Sequence, residues 1–173
     1  MTPSDAFDLL RVLGAPPRLI THVRLVVEAG DLLLVALARL GVALDADFVR
    51  TGIAVHDVGK VRHPEELTGQ GNRHEPAGEQ LLLERGVDPR LARVCRSHAR
   101  WASIADCSLE ELVIALADKL WKGVRSPRLE ERVIDEVAAR LGRERWDVFV
   151  ANDDAFESIA AAGTERLERS RIE

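Results

Sequence analysis

Apolar residues recur at helical spacing along almost the whole chain, and no alternating run is long enough to predict a sheet. The longest pattern begins at two prolines, and it predicts a helix over about 16–40. A capping box, Ser108 with Glu111 three residues on, predicts the start of an apolar central helix. With the remaining start and stop signals, the pattern predicts helices over about 47–55, 74–85, 89–101, 109–122, 129–141 and 146–169.

The chain contains no internal repeat and no low-complexity linker, and its 173 residues suffice for one hydrophobic core. We therefore predict an all-α fold, a single domain over 1–173. Its core, about 16–125, carries the candidate chemistry. Further helices follow over about 127–170.

Residues 56–73, between the predicted helices 47–55 and 74–85, contain a candidate site motif followed by a long connection. His56-Asp57 lies at the C-terminal end of the predicted helix 47–55. Gly59 is predicted to end that helix in a left-handed conformation, with Lys60 just beyond it. Residues 61–73 contain two glycines, a proline and few apolar residues, so they are predicted to form a loop. The loop is either a lid over a site or a tolerated surface insertion.

Composition and charge narrow the class of protein. The chain is 46% hydrophobic and 31% charged with a net charge of −5, which is typical of a globular protein without a basic face for duplex nucleic acid. Glu28, Asp31 and Arg39 interrupt the most apolar stretch, so we expect no membrane span. Cys95 and Cys107 form no CxxC pair, and no signal peptide opens the sequence. We expect a cytoplasmic protein.

Four of the five histidines lie on the apolar sides of four different predicted helices: His22, His56, His74 and His98. A single histidine on such a face is usually a core residue with one hydrogen bond. Four such placements are harder to explain by independent packing, because every buried imidazole needs a partner. A shared metal ion would satisfy several of them at once, so the pattern indicates a metal site.

Two acidic residues also lie in apolar surroundings. Asp57 follows His56 directly, and such a doublet supplies one imidazole nitrogen and one carboxylate that can bridge two ions. Asp118 is the only acid in the last three turns of the central helix. An unpaired buried charge is costly, which favours metal ligation for both. For Asp118 the alternative is an ion pair with Lys122, one turn further on.

The order His22, His56-Asp57, then Asp118 in Ala-Asp-Lys-Leu resembles the HD superfamily of metal-dependent phosphohydrolases, over roughly 18–125. The resemblance implies an HD-type helical bundle. It also implies that His22, His56, Asp57 and Asp118 hold one divalent transition metal ion. His74 and His98 would hold a second ion, with Asp57 bridging the two. Such ligands suit Fe, Mn, Co, Ni or Zn.

Within that superfamily, the chain is most similar to the bacterial hydrolases of symmetric dinucleoside polyphosphates. The similarity lies in the 20-residue step from His98 to Asp118 and in the stretch 74–82. The chain departs from that branch at Ala99, where a threonine is usual, and at Trp121-Lys122, where Glu-Pro is usual.

The expected function is hydrolysis of a phosphoester or phosphoanhydride bond in a small nucleotide, such as a dinucleoside polyphosphate. Water activated by two metal ions would be the nucleophile. The residues expected to act in catalysis are Asp57 and Lys60. Cations next to the motif residues in the sequence are expected to bind the substrate: Lys60, Arg73, Lys119, Lys122 and Arg125.

Two other functions stay open at this stage. Some members of the superfamily use the same ligands as di-iron oxygenases, although the chain has no tyrosine, which excludes an oxygenase with a tyrosine lid. A non-catalytic domain that binds a metal ion, a nucleotide or a partner is the other alternative. We expect neither a nucleic-acid duplex nor a membrane as a partner, and a homodimer is compatible with the sequence.

Overall fold

The periodic apolar pattern is realised as helices throughout the described part of the chain. The computed structural model describes residues 1–171, and all regular structure in this range is helical. The helices are α1 (Pro3–Val12), α2 (Pro17–Arg39), α3 (Ala46–Val55), α4 (His74–Glu84), α5 (Pro89–Ala92), α6 (Val94–Arg100), α7 (Leu109–Leu120), α8 (Pro127–Leu141), α9 (Arg145–Ala161) and α10 (Gly163–Arg169). The predicted all-α, single-domain fold is confirmed. None of these helices combines the length and the apolar content needed to cross a membrane.

Helix α7 is the central element, because its side chains are buried around nearly its whole circumference. It packs against α2, α3, α6 and α8. The predicted capping box is present: the Ser108 hydroxyl accepts from the Glu111 N–H, and the Glu111 carboxylate accepts from the Ser108 N–H. Arg93 also donates to Glu111 at 2.6 and 2.9 Å. These contacts fix the start of α7, and its last turn presents Asp118 to the interior.

Gly59 does not have the predicted left-handed conformation, so that prediction is wrong. The residue lies in a 3₁₀ turn, Val58–Val61, that follows α3 almost directly. A Cβ atom on Gly59 would lie 1.9 Å from the carbonyl oxygen of His74 and 2.6 Å from the backbone nitrogen of Gly78. Glycine is therefore required because α4 approaches the chain closely here.

Several predicted boundaries differ from the observed ones. The loop 61–73 contains a second 3₁₀ turn, Pro64–Leu67. The predicted helix 89–101 is divided into α5 and α6, and a 3₁₀ turn, Trp101–Ser103, follows. The sequence analysis assigned no helix to Pro3–Val12, where Thr2 caps α1.

The predicted helix 146–169 is divided into α9 and α10 at Gly163. A Cβ atom on Gly163 would lie 2.2 Å from the backbone nitrogen of Gly123, so two backbone segments approach closely at this point. Glu28 of α2 then accepts hydrogen bonds from Arg166 at 3.0 Å and from both ends of the Arg169 guanidinium. Arg166 is almost fully buried. These contacts hold α10 against α2.

Candidate metal centre

A single buried carboxylate lies at the centre of the histidine cluster. Asp57 follows the end of α3, and its side chain is 3% exposed. Its Oδ2 lies 3.1 Å from Nε2 of His22 and 3.5 Å from Nε2 of His56. Its Oδ1 lies 3.2 Å from Nε2 of His74 and 3.8 Å from Nε2 of His98. The four imidazoles thus converge as predicted, two on each oxygen of one carboxylate.

Asp118 adds a second carboxylate on one side of this cluster. Its Oδ1 lies 3.7 Å from Nε2 of His56 and 4.0 Å from Nε2 of His22. Its Oδ2 lies 2.9 Å from Nζ of Lys119 and 3.9 Å from Nζ of Lys122. The two halves of the cluster share Asp57 but are unequal. One half contains His22, His56 and Asp118, and the other contains His74 and His98 without a second aspartate among the described residues.

Backbone carbonyls orient two of the imidazoles. Nδ1 of His56 lies 2.7 Å from the carbonyl oxygen of Ile53, and Nδ1 of His98 lies 3.2 Å from that of Val94. A carbonyl oxygen can only accept, so the ring proton is assigned to Nδ1 in both histidines. Nε2 is then the nitrogen with a free lone pair, and it faces Asp57. This is the arrangement found for histidines that bind metals.

Glu66 orients the imidazole of His74, and it was not among the residues predicted from the sequence. Its Oε2 lies 2.6 Å from Nδ1 of His74 and accepts the His74 backbone N–H at 3.1 Å, while Oε1 accepts the Arg73 N–H at 3.2 Å. Burial disfavours its charge, but these hydrogen bonds lower the pKa of Glu66 to about 2. Glu66 lies in the short 3₁₀ turn Pro64–Leu67, where no long periodic pattern indicates which side chain turns inward.

The electrostatics favour charged acids. Burial opposes ionisation of Asp57 and Asp118, yet the neighbouring imidazoles and lysines hold both pKa values well below their usual range. Burial lowers the pKa of His98 to about 4 and also lowers that of His22. The two carboxylates raise the pKa of His56 against the effect of burial. Asp57 and Glu66 likewise raise the pKa of His74 against the effect of burial. Metal ions bind ionised carboxylates and neutral imidazoles, so the shifts of Asp57, Asp118, His22 and His98 favour the ligand forms, whereas an ion would have to displace protons from His56 and His74.

Two nitrogen atoms of the cluster provide a direct test of whether these residues suit a metal ion. Nε2 of His22 and Nε2 of His56 are buried, and although Asp57 Oδ2 lies 3.1 and 3.5 Å away, neither nitrogen makes a hydrogen bond of good geometry within residues 1–171. Buried polar atoms without a partner are rare and costly, and a shared cation would satisfy both nitrogens. Two groups of three ligand atoms lie within 4.8 Å of one another: His22, His56 and Asp57, and Asp57, His74 and His98. The donor set therefore suits divalent transition metal ions.

A cavity of about 640 Å³ opens over the cluster, within the usual range for small-molecule sites. Three of the predicted substrate-binding cations, Lys60, Lys119 and Lys122, line it. Nζ of Lys60 lies 2.5 Å from Oδ2 of Asp57. Three other charged residues that were not predicted from the sequence also line the cavity: Arg18, Glu75 and Arg171.

Two predicted substrate-binding residues do not line the cavity. The guanidinium of Arg125 is engaged by three carboxylates, those of Glu130, Asp153 and Glu157. Arg73 is largely exposed, and its side chain pairs with Glu65 and Glu66. The structure pairs both arginines with carboxylates and does not place them in the lining of the cavity, and their role in substrate binding stays a prediction.

Comparison with known proteins identifies the family. The profile of the HD domain matches residues 19–121, a range that includes all six predicted ligands. The chain therefore belongs to the HD domain family. It is 29% identical over 157 residues to a tRNA (cytidine(56)-2'-O)-methyltransferase of Thermoplasma volcanium, with 79% of the chain and 43% of that protein covered. It is 27% identical over 138 residues to an uncharacterized protein of Methanocaldococcus jannaschii, with 72% and 78% covered. No solved structure gives a significant match.

Proposed function

We propose that the chain is a metal-dependent phosphohydrolase that cleaves a phosphoester or phosphoanhydride bond of a small nucleotide. The observation that carries this proposal is the position of Asp57. One buried carboxylate lies between two pairs of histidines, directly beneath an open cavity lined by lysines. Membership of the HD domain family supports the same class of reaction.

The proposed ligand set follows the two halves of the cluster. His22, His56, Asp57 and Asp118 would hold one divalent ion. His74 and His98 would hold a second ion, with Asp57 shared between the two. Two such ions, when bound, make hydroxide available near neutral pH and neutralise charge on a phosphoryl group.

Side chains that line the cavity have the other proposed roles, which are to bind the phosphate groups and to exclude water. Lys60 is 18% exposed and lies beside Asp57, so its ammonium group can offset negative charge that develops on phosphoryl oxygens. Lys119 and Lys122 flank Asp118 and can bind further phosphate oxygens. The side chains of Leu67 and Trp121 form an apolar part of the cavity lining. This apolar surface limits the access of bulk water to a bound substrate.

The substrate class is a small anion. The chain has a net charge of −5, which disfavours a long duplex nucleic acid. Dinucleoside polyphosphates are the first class to test. Because one relative is named as a tRNA methyltransferase, short RNA fragments with terminal or cyclic phosphates belong in the same screen.

The test is hydrolysis of a substrate panel by the full chain loaded with Mn, Co or Fe. The panel contains mononucleotides, cyclic dinucleotides, dinucleoside polyphosphates and phosphorylated RNA fragments, with products resolved by chromatography. His56→Ala should abolish product release. His63→Ala is the matched control, because His63 pairs with Glu65 and lies outside the cluster. Release that persists in His56→Ala, or no release from any substrate, would contradict the proposal. Oxygen consumption with an organic substrate would instead favour the di-iron oxygenase.

A further inference from the structure

The cationic residues of the cavity are unevenly distributed around its wall. Arg18 lies in the first turn of α2, one turn before His22, and Arg171 follows α10. Lys119 and Lys122 lie at the end of α7 and just beyond it. Among the residues described, the α4 side contributes Glu75 as its charged lining residue besides the histidine. Among the described lining residues, a fifth cation, Lys60, lies in the 3₁₀ turn beside α4, and the other four lie on α2, at the end of α7 and after α10. We refer to Arg18, Lys119, Lys122 and Arg171 as the cationic wall.

The members of the cationic wall differ in their partners. Lys119 and Lys122 face Asp118, at 2.9 and 3.9 Å. Within residues 1–171, neither Arg18 nor Arg171 has a carboxylate at ion-pair distance, whereas Arg125 of the same chain is paired with three. Among the described residues, no carboxylate therefore competes with an external anion for these two guanidinium groups.

The position of Arg171 is set by the docking of α10. Glu28 accepts hydrogen bonds from Arg166 and from both ends of the Arg169 guanidinium, at 2.8 to 3.0 Å. Arg166 also donates to the carbonyl oxygen of Ile159 at 2.8 Å. Arg171 follows Arg169 by two residues, so this anchored helix holds the end of the cationic wall beside the cavity.

We propose that the cationic wall binds phosphate groups beyond the one attacked at the metal centre, so that the substrate carries two or more linked phosphates. This inference rests on the proposed hydrolase function. Arg18 and His22 are four residues apart on one helix, which separates their Cβ atoms by about 6 Å. A phosphate next to the attacked one therefore comes within reach of Arg18. A guanidinium can hold phosphate oxygens in a bidentate manner, which a lysine cannot.

The test measures binding, so it does not depend on turnover. Inorganic tripolyphosphate and orthophosphate are titrated calorimetrically into the full chain as purified, and again after chelator treatment, with helix content verified by circular dichroism. Arg18→Ala and Arg171→Ala should each weaken tripolyphosphate binding by about tenfold or more, as expected for loss of a charge-assisted hydrogen bond. Orthophosphate binding should change much less. Arg24→Ala is the matched control, because Arg24 is exposed on the same helix and does not line this cavity.

The inference would be overturned by equal affinity for tripolyphosphate and orthophosphate, or by equal effects of Arg18→Ala and Arg24→Ala. If the full chain hydrolyses no substrate while Arg18→Ala still weakens tripolyphosphate binding, the cationic wall stands and the hydrolase proposal fails. If hydrolysis occurs but the KM for a nucleoside triphosphate is unchanged in both wall variants, the hydrolase stands and the wall is refuted. Comparing tripolyphosphate with nucleoside tri- and monophosphates separates an inorganic chain from a nucleotide. Binding of the monophosphate as tight as that of the triphosphate would also contradict linked phosphates.

Discussion

Replacement of Glu66 by alanine should weaken one of the two proposed metal sites and spare the other. Glu66 contacts His74 and does not contact His22, His56 or Asp118. The proposed ion on the His74 side should therefore be lost first. The chain should then retain close to one ion where the parent protein retains two.

The magnitude follows from the contacts that disappear. In Glu66→Ala the Nδ1–H of His74 loses its acceptor at 2.6 Å, and two backbone N–H groups at the start of α4 lose theirs. The ring is then free to rotate and to exchange its proton between the two nitrogens. Loss of such a partner of a metal-binding histidine typically costs about 10–100-fold in affinity. Glu66→Gln keeps an acceptor oxygen, so its loss should be smaller.

The assay is equilibrium dialysis against Mn²⁺ at a series of free concentrations, with the metal per chain determined by atomic emission. Glu65→Ala is the matched control. Glu65 is the preceding residue in the same 3₁₀ turn, but it is half exposed and pairs with Arg73 instead of His74. Circular dichroism on each variant separates a local effect from unfolding.

Equal weakening of both ions in Glu66→Ala, or an effect no larger than that of Glu65→Ala, would refute the reasoning. The double variant Glu66→Ala/His74→Ala tests whether Glu66 acts through His74. If Glu66 acts through His74, adding Glu66→Ala to His74→Ala should change the metal content little, because the interaction is already absent. Additive losses would show that Glu66 acts elsewhere.

Three further predictions concern the floor of the cavity. Asp57→Ala should remove both ions and His98→Ala only one, because a carboxylate can bridge where an imidazole cannot; equal metal counts would contradict this. Lys60→Ala should keep its metal content and lose most of its turnover. Unchanged kinetics would show that Lys60 does not assist the reaction. Gly59→Ala should lower the free energy of unfolding by about 1–3 kcal/mol, as measured by urea denaturation. The reason is that its Cβ would lie 1.9 Å from the carbonyl oxygen of His74. An unchanged midpoint would show that α4 can move away.

The sequence predicted the convergence of the histidines because helical periodicity fixes which face a side chain occupies. Once His22, His56, His74 and His98 are placed on inward faces, burial brings them together. The capping box before α7 was equally predictable, since both partners lie within one turn. Both features depend on local patterns and were predicted, whereas the Thr2–Asp5 capping box that begins α1 is equally local and was missed.

Several other differences concern contacts between residues distant in the sequence. Arg125 was expected to bind the substrate, but its partners include carboxylates 28 and 32 residues further on, which no local pattern reveals. Arg171 reaches the cavity because Glu28, 141 residues before Arg169, anchors α10. Gly59 was assigned to a helix end, whereas the close approach of α4 requires it.

A negative net charge is compatible with an anionic substrate. The repulsion from the whole chain and the attraction inside the cavity act over different distances. A net charge of −5 repels a long polyanion, and this repulsion extends over roughly 8 Å at physiological ionic strength. Inside the cavity, five cationic side chains face three carboxylates, those of Asp57, Glu75 and Asp118. Divalent ions bound to Asp57 and Asp118 would free the lysines that now contact them and add further positive charge. A small anion with several phosphates can enter this short-range attraction, whereas a duplex would have to cross the repulsive surface along its whole length.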